Sequence, residues 1–397
     1  MENDTIAAIA SGLAQSGIGI IRVSGKDAAA VCEPLVFLKK GKLSDCAAGT
    51  FHYGLIREGG RTIDEALVLL MRAPHSYTGE DTVELQCHGG PFVMQKILEL
   101  VLAAGARAAE PGEFTKRAFL NGRLDLSQAE AVMNLIQSQN DYARAASIDQ
   151  LGGRVSGKIR ELRQKILYQL AFIESALDDP EHISLEGYPQ QLAEKLKSLT
   201  AEIGDLLESA DQGRLLTEGI QTVILGRPNA GKSSLLNLLS GTDRAIVTEI
   251  EGTTRDTLTE RIRLGGLTLS LVDTAGIRST EDRIERIGVE RAMKAADTAD
   301  LILYVVDSSV PLNENDEQII SLIRDRKAIV LFNKSDLPPA VEPQEISAKI
   351  PFPVIPFSAR EGTGRRELEQ TILGLFRLGR IRENDQLIIT NLRHKKA

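Results

Sequence analysis

A strand-forming run, QTVIL at residues 221–225, leads directly into GRPNAGKSS at residues 226–234, and the apolar helical stretch SLLNLLSG follows. This order of buried strand, G-x-x-x-x-G-K-[ST] loop and helix constrains the chain more than any other feature, because it specifies a phosphate cradle at the edge of an α/β layer. Gly226 and Gly231 let the backbone wrap anionic oxygens, so that loop N–H groups and a helix N-terminus face the phosphates. Lys232 has the reach for β- and γ-phosphates, and the Ser233 hydroxyl suits Mg²⁺. Strands and helices alternate from residue 220 to about 378, a pattern that predicts a parallel sheet covered on both faces.

Further along, AIVLFNKSDL (328–337) places NKSD after an apolar strand. Asp336 can accept from both the N1–H and the exocyclic amine of guanine, with Asn333 and Lys334 supporting the ring and the backbone of Ser358 and Ala359 meeting O6. TEIEGTTRDT (248–257) offers Thr254 to Mg²⁺ and the γ-phosphate, and DTAGIR (273–278) offers Asp273 to the metal after the run LTLSLV. Asn229, Ala230 and Ser234 in the loop, Thr248 and Thr253 before Thr254, and Thr274, Ala275 and Gly276 after Asp273 complete the expected GTP-contact set. Each short motif alone is a common surface loop; their order favours GTP over ATP. The residue after Gly276 is Ile277, where a Ras-like enzyme carries the glutamine that orients the attacking water.

A chain of 397 residues exceeds one ordinary core. Residues 1–119 mix β-type runs (TIAAIA, GIGIIRVSG, EALVLLMRAP, DTVELQCHGG) with the helix FVMQKILELVLAAG, closed by Gly105. Residues 124–214 read as helical, with Ser127 and Glu130 as a capping box and a break at LDDPEHISLEGYPQ between two long helices. No apolar run approaches the roughly 20 residues that cross a bilayer, so no membrane insertion is expected. The three cysteines, Cys32, Cys46 and Cys87, lack paired spacing, which fits a reducing cytoplasm. A net charge of −8 leaves room only for patchy contact with RNA. GRVSGKIRELRQK (153–165), with five bases against one acid, is one such stripe, and equally a solvated helix face. Cys87 beside His88 is too few ligands for a metal site; a packed thiol next to a capping imidazole is the alternative.

GRPNAGKSSLLN, IEGTTRD and DTAGIRSTEDRIERIGVERA closely resemble the tRNA-modification GTPase MnmE (TrmE) family, as do SYTGEDTVELQCHGGP and EPGEFTKRAFLNGRLDLSQAEAV outside the nucleotide motifs. The resemblance implies an α/β and α+β multidomain fold: a Ras-like P-loop G domain (217–378) inserted in an all-α helical domain (120–216, with 379–397), preceded by an α+β tetrahydrofolate-binding and dimerisation domain (1–119). It implies a glutamate in switch II that orients the water, here Glu285. Taken alone, Glu285 is one acid on the charged helix EDRIERIGVERAMK. It implies K⁺ in place of an arginine finger, held by Asn229, Thr248, Ile250 and Thr253; by itself Asn229 reads as a turn residue after Pro228. Arg22, Glu84 and Arg123 match the folate contacts, where a guanidinium and a carboxylate suit the pterin.

By the same resemblance the chain is a homodimer through its N-terminal domain. It works with an MnmG (GidA)-type FAD protein to modify C5 of the wobble uridine in certain tRNAs, hydrolysing GTP with K⁺ stimulation. Family members continue past ITNLRHKKA into further helices ending in C-x-G-K, and this sequence stops at Ala397. Either the polypeptide is a truncated form or its modification activity is impaired; GTP hydrolysis is not put in doubt. A ribosome-assembly GTPase and a GTP-dependent scaffold that barely hydrolyses are the rival readings; residues 1–123 argue against the first.

Overall fold

The computed structural model describes residues 4–242, 260–271, 296–347 and 352–378. They divide into two compact units, residues 1–132 and 133–397. In the first unit seven strands form one sheet in the order β3-β4-β5-β6-β2-β1-β7. They are β1 (Ile6–Ile9), β2 (Ser16–Ser24), β3 (Val36–Leu38), β4 (Thr50–Glu58), β5 (Arg61–Met71), β6 (Thr82–Gly89) and β7 (Arg107–Ala108). Every pairing is antiparallel except β1 with β7.

Alternation decides which face is covered. Ile21, Val23, Val68, Leu70, Val83 and Leu85 point to one side and pack with Met94, Ile97 and Val101 of α2 (Pro91–Ala103); α1 (Ala28–Cys32) lies in the same core. On the opposite face Phe51, Tyr53 and Leu67 stay 43–58% exposed. Four of these strands stand out in the sequence; β3, β4 and the two-residue β7 do not. FHYGLIRE alternates as a strand should, but its outward positions are aromatic, which blurs the usual apolar-in, polar-out contrast.

Two short helices follow, α3 (Glu113–Leu120) and α4 (Leu126–Ile136). The capping box at the start of α4 is shifted from the expected Ser127–Glu130. Asp125 Oδ1 accepts from Gln128 N at 2.8 Å, and Gln128 Oε1 accepts from Asp125 N at 2.9 Å. The carboxylate two residues earlier takes the cap, and Ser127 donates to it at 2.9 Å from inside the first turn.

The second unit begins with helices. α5 (Asp141–Leu151) leads to α6 (Arg154–Asp178) and α7 (Tyr188–Glu218), two long helices with the expected break between them. α7 runs through Gly219 into β8 (Ile220–Leu225), the first strand of a six-stranded sheet ordered β13-β12-β11-β8-β10-β9. The other strands are β9 (Glu260–Leu264), β10 (Leu267–Leu271), β11 (Leu301–Asp307), β12 (Ala328–Asn333) and β13 (Val354–Pro356). All neighbours are parallel except the hairpin β9–β10, which the sequence reading did not separate from its surroundings. This is the order of a Ras-like P-loop domain.

Both faces of the sheet are buried, which is why its strands read as unbroken apolar runs. One face carries Ile224, Leu303, Val305 and Leu331 against α8 (Lys232–Thr242) and α11 (Arg365–Leu375). The other carries Val223, Tyr304, Val306 and Val330 against α9 (Glu314–Ile323) and α10 (Pro343–Ser347). The helical segment is not independent of this sheet. Tyr142 and Ala146 of α5 and Leu215 and Leu216 of α7 share a core with Leu264 and Leu267. Asn140, buried at the start of α5, donates to Leu216 O at 3.0 Å and to Thr268 Oγ1 at 3.1 Å.

Candidate functional site

Register brings the strand ends of the second sheet to one edge. Leu225 pairs with Tyr304, Asp307 with Asn333 and Phe332 with Pro356, so the loops after β8, β11, β12 and β13 emerge together. Loops at the carboxyl ends of parallel strands are where such sheets hold ligands.

The loop after β8 has the backbone of a phosphate cradle. Gly226 has φ +152°, and a Cβ there would come within 2.4 Å of Val305 O. Gly231 has φ +101°, and a Cβ there would meet Asn333 Nδ2 at 2.1 Å. Both positions therefore exclude a side chain. Asn229 adopts a left-handed φ of 62°, tolerated by asparagine, and is exposed. Ala230 is buried, and Ser233 and Ser234 are exposed at the start of α8. Lys232 donates to Gly226 O at 2.7 Å and Arg227 O at 2.6 Å, folding its ammonium over the loop. Burial pushes this lysine below its ordinary pKa, and an anion beside it would reverse that shift.

Asn333 joins three loops. Only 2% exposed, it donates from Nδ2 to Ala230 O at 2.8 Å and accepts at Oδ1 from Ala359 N at 3.0 Å. Asp336 accepts from the buried Ser358 hydroxyl at 2.7 Å, and Ser335 N donates to Phe357 O at 3.1 Å. The Ser358 hydrogen bond lowers the Asp336 pKa, keeping the outward carboxylate ionised. Lys334, at φ 63°, extends its ammonium to Asp307 at the end of β11. All eleven expected GTP contacts among the described residues (Asn229, Ala230, Gly231, Lys232, Ser233, Ser234, Asn333, Lys334, Asp336, Ser358 and Ala359) thus lie at this one edge. Asp307 was missed, because its register with Asn333 and its contact with Lys334 exist only in the folded sheet. Thr248, Ile250, Thr253, Thr254, Asp273, Thr274, Ala275, Gly276 and Glu285 lie outside the described residues, as do residues 379–397.

A second polar cluster sits in the first unit. Arg22 and Glu84 are cross-strand partners, joined from Nε at 2.8 Å and from the terminal nitrogen at 2.7 Å. The Arg22 guanidinium lies 5.1 Å from the centroid of the Tyr77 ring and 5.6 Å from that of Phe114. Arg123 covers the same Tyr77 ring at 5.5 Å and donates to Tyr77 O at 3.1 Å. Arg22 and Arg123 therefore meet at Tyr77, with Glu84 paired to Arg22 and Phe114 beside the same guanidinium; neither ring was selected from sequence. Neither ring falls in a periodic pattern, so only the segments SYTGE, with Tyr77, and EPGEF, with Phe114, pointed to the region.

Other candidates resolve more simply. Cys87 is buried, its thiol raised to about 11 by desolvation, and it donates to Gly19 O at 3.5 Å. His88 faces the other way and pairs with Asp64 at 2.7 Å, which raises its pKa. No group of three or more potential metal-binding side chains occurs among the described residues. In the basic stripe of α6, Lys158 and Lys165 are held by Glu202 at 2.7 and 3.0 Å, and Arg154 by Asp149 at 3.0 Å. Three of its five positive charges are thus answered from within the unit, which weakens the stripe as a phosphate-binding face. No helix among the described residues is long and apolar enough to cross a membrane.

Comparison with known proteins covers the whole chain. The family model for the GTP-binding protein TrmE N-terminus matches residues 5–123, and that for the MnmE helical domain matches residues 126–397. The tRNA modification GTPase MnmE of Lachnoclostridium phytofermentans is 54% identical over 400 residues, spanning 100% of this chain and 87% of the relative. The protein of the same name from Geobacillus kaustophilus is 47% identical over 398 residues, spanning 99% and 86%. That from Clostridioides difficile is 46% identical over 397 residues, spanning 100% and 86%. Among solved structures, Aquifex aeolicus Era bound to GDP and AlF4⁻ is 34% identical, covering 39% of this chain and 56% of its own, with a TM-score of 0.32.

Proposed function

The chain belongs to the MnmE family of tRNA modification GTPases and is a GTP hydrolase; from that premise we propose how its own residues bind and cleave the nucleotide. The observation that carries the reading is Asn333, whose carboxamide bonds the phosphate loop at Ala230 and the base loop at Ala359. One buried side chain thereby sets the distance between the two ends of a bound guanine nucleotide. Asp336, kept ionised by Ser358, accepts from the guanine edge, and the N–H groups of residues 229–234 surround the phosphates.

Lys232 exchanges its loop carbonyls for the β- and γ-phosphates when GTP enters, and the charge restores its ordinary pKa. Ser233, Thr254 and Asp273 hold Mg²⁺. The exposed, left-handed Asn229 engages no side-chain partner among the described residues, so its carbonyl is available as one oxygen of a K⁺ shell with Thr248, Ile250 and Thr253. A monovalent cation at that position supplies the positive charge that an arginine finger supplies elsewhere. Glu285 orients the attacking water, directly or through a second one, in place of the glutamine absent at Ile277.

The division we propose is an N-terminal domain over residues 1–119, a helical domain over 120–216 with 379–397, and a G domain over 217–378. In the N-terminal domain the Tyr77 and Phe114 rings offer apolar faces, and Arg22, Glu84 and Arg123 offer the charges, for a tetrahydrofolate derivative. Opening the Arg22–Glu84 pair frees a guanidinium and a carboxylate for the pterin's amide and amino groups. The chain then works in the cytoplasm as a homodimer with a flavoprotein of the MnmG type, adding an aminomethyl-type group to the wobble uridine of certain tRNAs. The test is the GTPase rate in KCl against NaCl, with Asn229→Ala beside the parent. A rate that rises with K⁺ and loses that rise in the variant supports the proposal. Equal rates in both salts overturn it.

A further inference from the structure

At the guanine end of the site one charged residue has no part assigned to it in the reading above. Asp307 closes β11, is 7% exposed, and stands in register with Asn333 across the parallel pair. Its two carboxylate oxygens have separate duties. Oδ1 accepts from Ser309 N at 3.0 Å and from Ser309 Oγ at 2.6 Å, while Oδ2 accepts from Lys334 Nζ. Ser308 N donates to Asn333 O at 3.0 Å, so the two strand ends are locked where the pair forms.

Lys334 follows Asn333 in a left-handed conformation that the turn bond from Leu337 N to Lys334 O holds at 2.9 Å. Its ammonium is anchored and its backbone is fixed, so both ends of the four-carbon stem are held in the loop that carries Asp336. A free lysine stem retains most of its rotamer freedom, and a flat base that packs on it must first immobilise it.

We propose that Asp307 is a positioning residue for guanine binding: it anchors the Lys334 ammonium, so that the lysine stem stands as a prearranged wall for the face of the base. Buried Asp307 is kept below its ordinary pKa although burial opposes this, because Lys334 and Ser309 both hydrogen-bond to the carboxylate. The anchor is therefore charged throughout the neutral range. Nothing in this role touches the γ-phosphate, so GDP and GTP benefit equally.

This inference rests on the assignment of Lys334 to the nucleotide site, and the experiment separates the two. Affinity for a fluorescent GDP analogue, together with kcat and KM for GTP, is measured on the full chain for Lys334→Ala, Asp307→Asn, Ser309→Ala and the Asp307→Asn/Lys334→Ala pair. Asp307→Asn is expected to weaken GDP and GTP alike by about tenfold, raising KM with kcat unchanged, as lost prearrangement of one long side chain predicts. In the Lys334→Ala background it should add no further loss, because its only route to the base has gone. Ser309→Ala removes one of the two hydrogen bonds to Oδ1 while leaving the backbone bond, the fold and the charge, and should cost about threefold, a smaller loss of the same prearrangement. Additive losses in the pair, or parent-like affinity in both Asp307→Asn and Ser309→Ala beside a weakened Lys334→Ala, overturn the role of Asp307. Parent-like affinity in Lys334→Ala overturns the assignment of the lysine itself.

Discussion

The two sheets solve the placement of functional groups in opposite ways. In the antiparallel sheet, Arg22 and Glu84 meet in mid-strand on the face opposite α1 and α2, where Phe114 of α3 reaches Arg22 but Phe51, Tyr53 and Leu67 stay exposed. In the parallel sheet, both faces are sealed by Leu303, Val305 and Leu331 on one side and Tyr304, Val306 and Val330 on the other. Within β8, β10, β11, β12 and β13 the only charged residue is Asp307, and it and the polar Asn333 are each the last residue of their strand. A half-covered sheet therefore spreads its chemistry over a surface, whereas a fully covered one concentrates it at an edge.

The largest effect expected from this contrast is at the edge. Asp336 has no mid-strand counterpart to share its duty, and each hydrogen bond from guanine to its charged carboxylate is worth about 1.5–3 kcal/mol. Asp336→Ala should therefore weaken GTP about 10³-fold, taking two such bonds together, and isothermal titration with GTP reads it. Retained affinity would mean that the base is not read at this edge.

Much of the G-type sheet was legible in the sequence because its strands are short apolar runs closed by diagnostic loops. QTVIL announces GRPNAGKSS, and AIVLF announces NKSD. The antiparallel sheet was less legible. β4 carries Phe51 and Tyr53 outward and Ile56 inward, so both of its faces look apolar and no hydrophobic alternation marks it. The capping of α4 was misplaced for a similar reason: Asp125 and Ser127 are both good N-caps, and only the reciprocal bonds with Gln128 decide between them. Among site residues, those inside named motifs were found, and those acting through them, Asp307 and Tyr77, were not. A positioning group is recognised by what it touches, and contact across strands or loops leaves no local signature.

The next effect sharpens the one-faced character of the antiparallel sheet. Leu85 is fully buried against Val68 and Ile21, while Leu67, on the strand beside it, is 46% exposed on the other face. Leu85→Ala should cost about 3 kcal/mol, the sum of lost transfer energy and a residual cavity. Leu67→Ala should cost less than about 0.5 kcal/mol, as surface changes usually do. Chemical denaturation followed by circular dichroism compares them. Equal losses would show that the outward face is covered in solution, which would make Phe51, Tyr53 and Leu67 part of an interface.

The smallest expected effect is electrostatic and belongs to the first unit alone. Glu113 accepts from Arg107 at 2.6 Å and from Arg117 at 3.1 Å, and its backbone partner is Glu110 N at 2.7 Å. The Arg107 hydrogen bond, opposed by burial and aided by Glu110 and Arg117, lowers the Glu113 pKa from 4.5 to about 2. A carboxylate depressed in the folded state contributes stability that is fully present above 4.5 and is lost as the pH falls towards 2. Arg107 is 40% exposed, so solvent screening holds the contribution to the order of 1 kcal/mol. Thermal melts of the parent and Glu113→Gln between pH 7 and pH 3 should converge as the pH drops, because protonation makes the parent resemble the amide. The gap should begin to close only below 4.5, and it should shrink at neutral pH in high salt. A constant gap across that range would place the cost of the substitution in packing of α3, and the network with Asp4, Arg107 and Arg117 would then be a fixed scaffold whose charge is incidental.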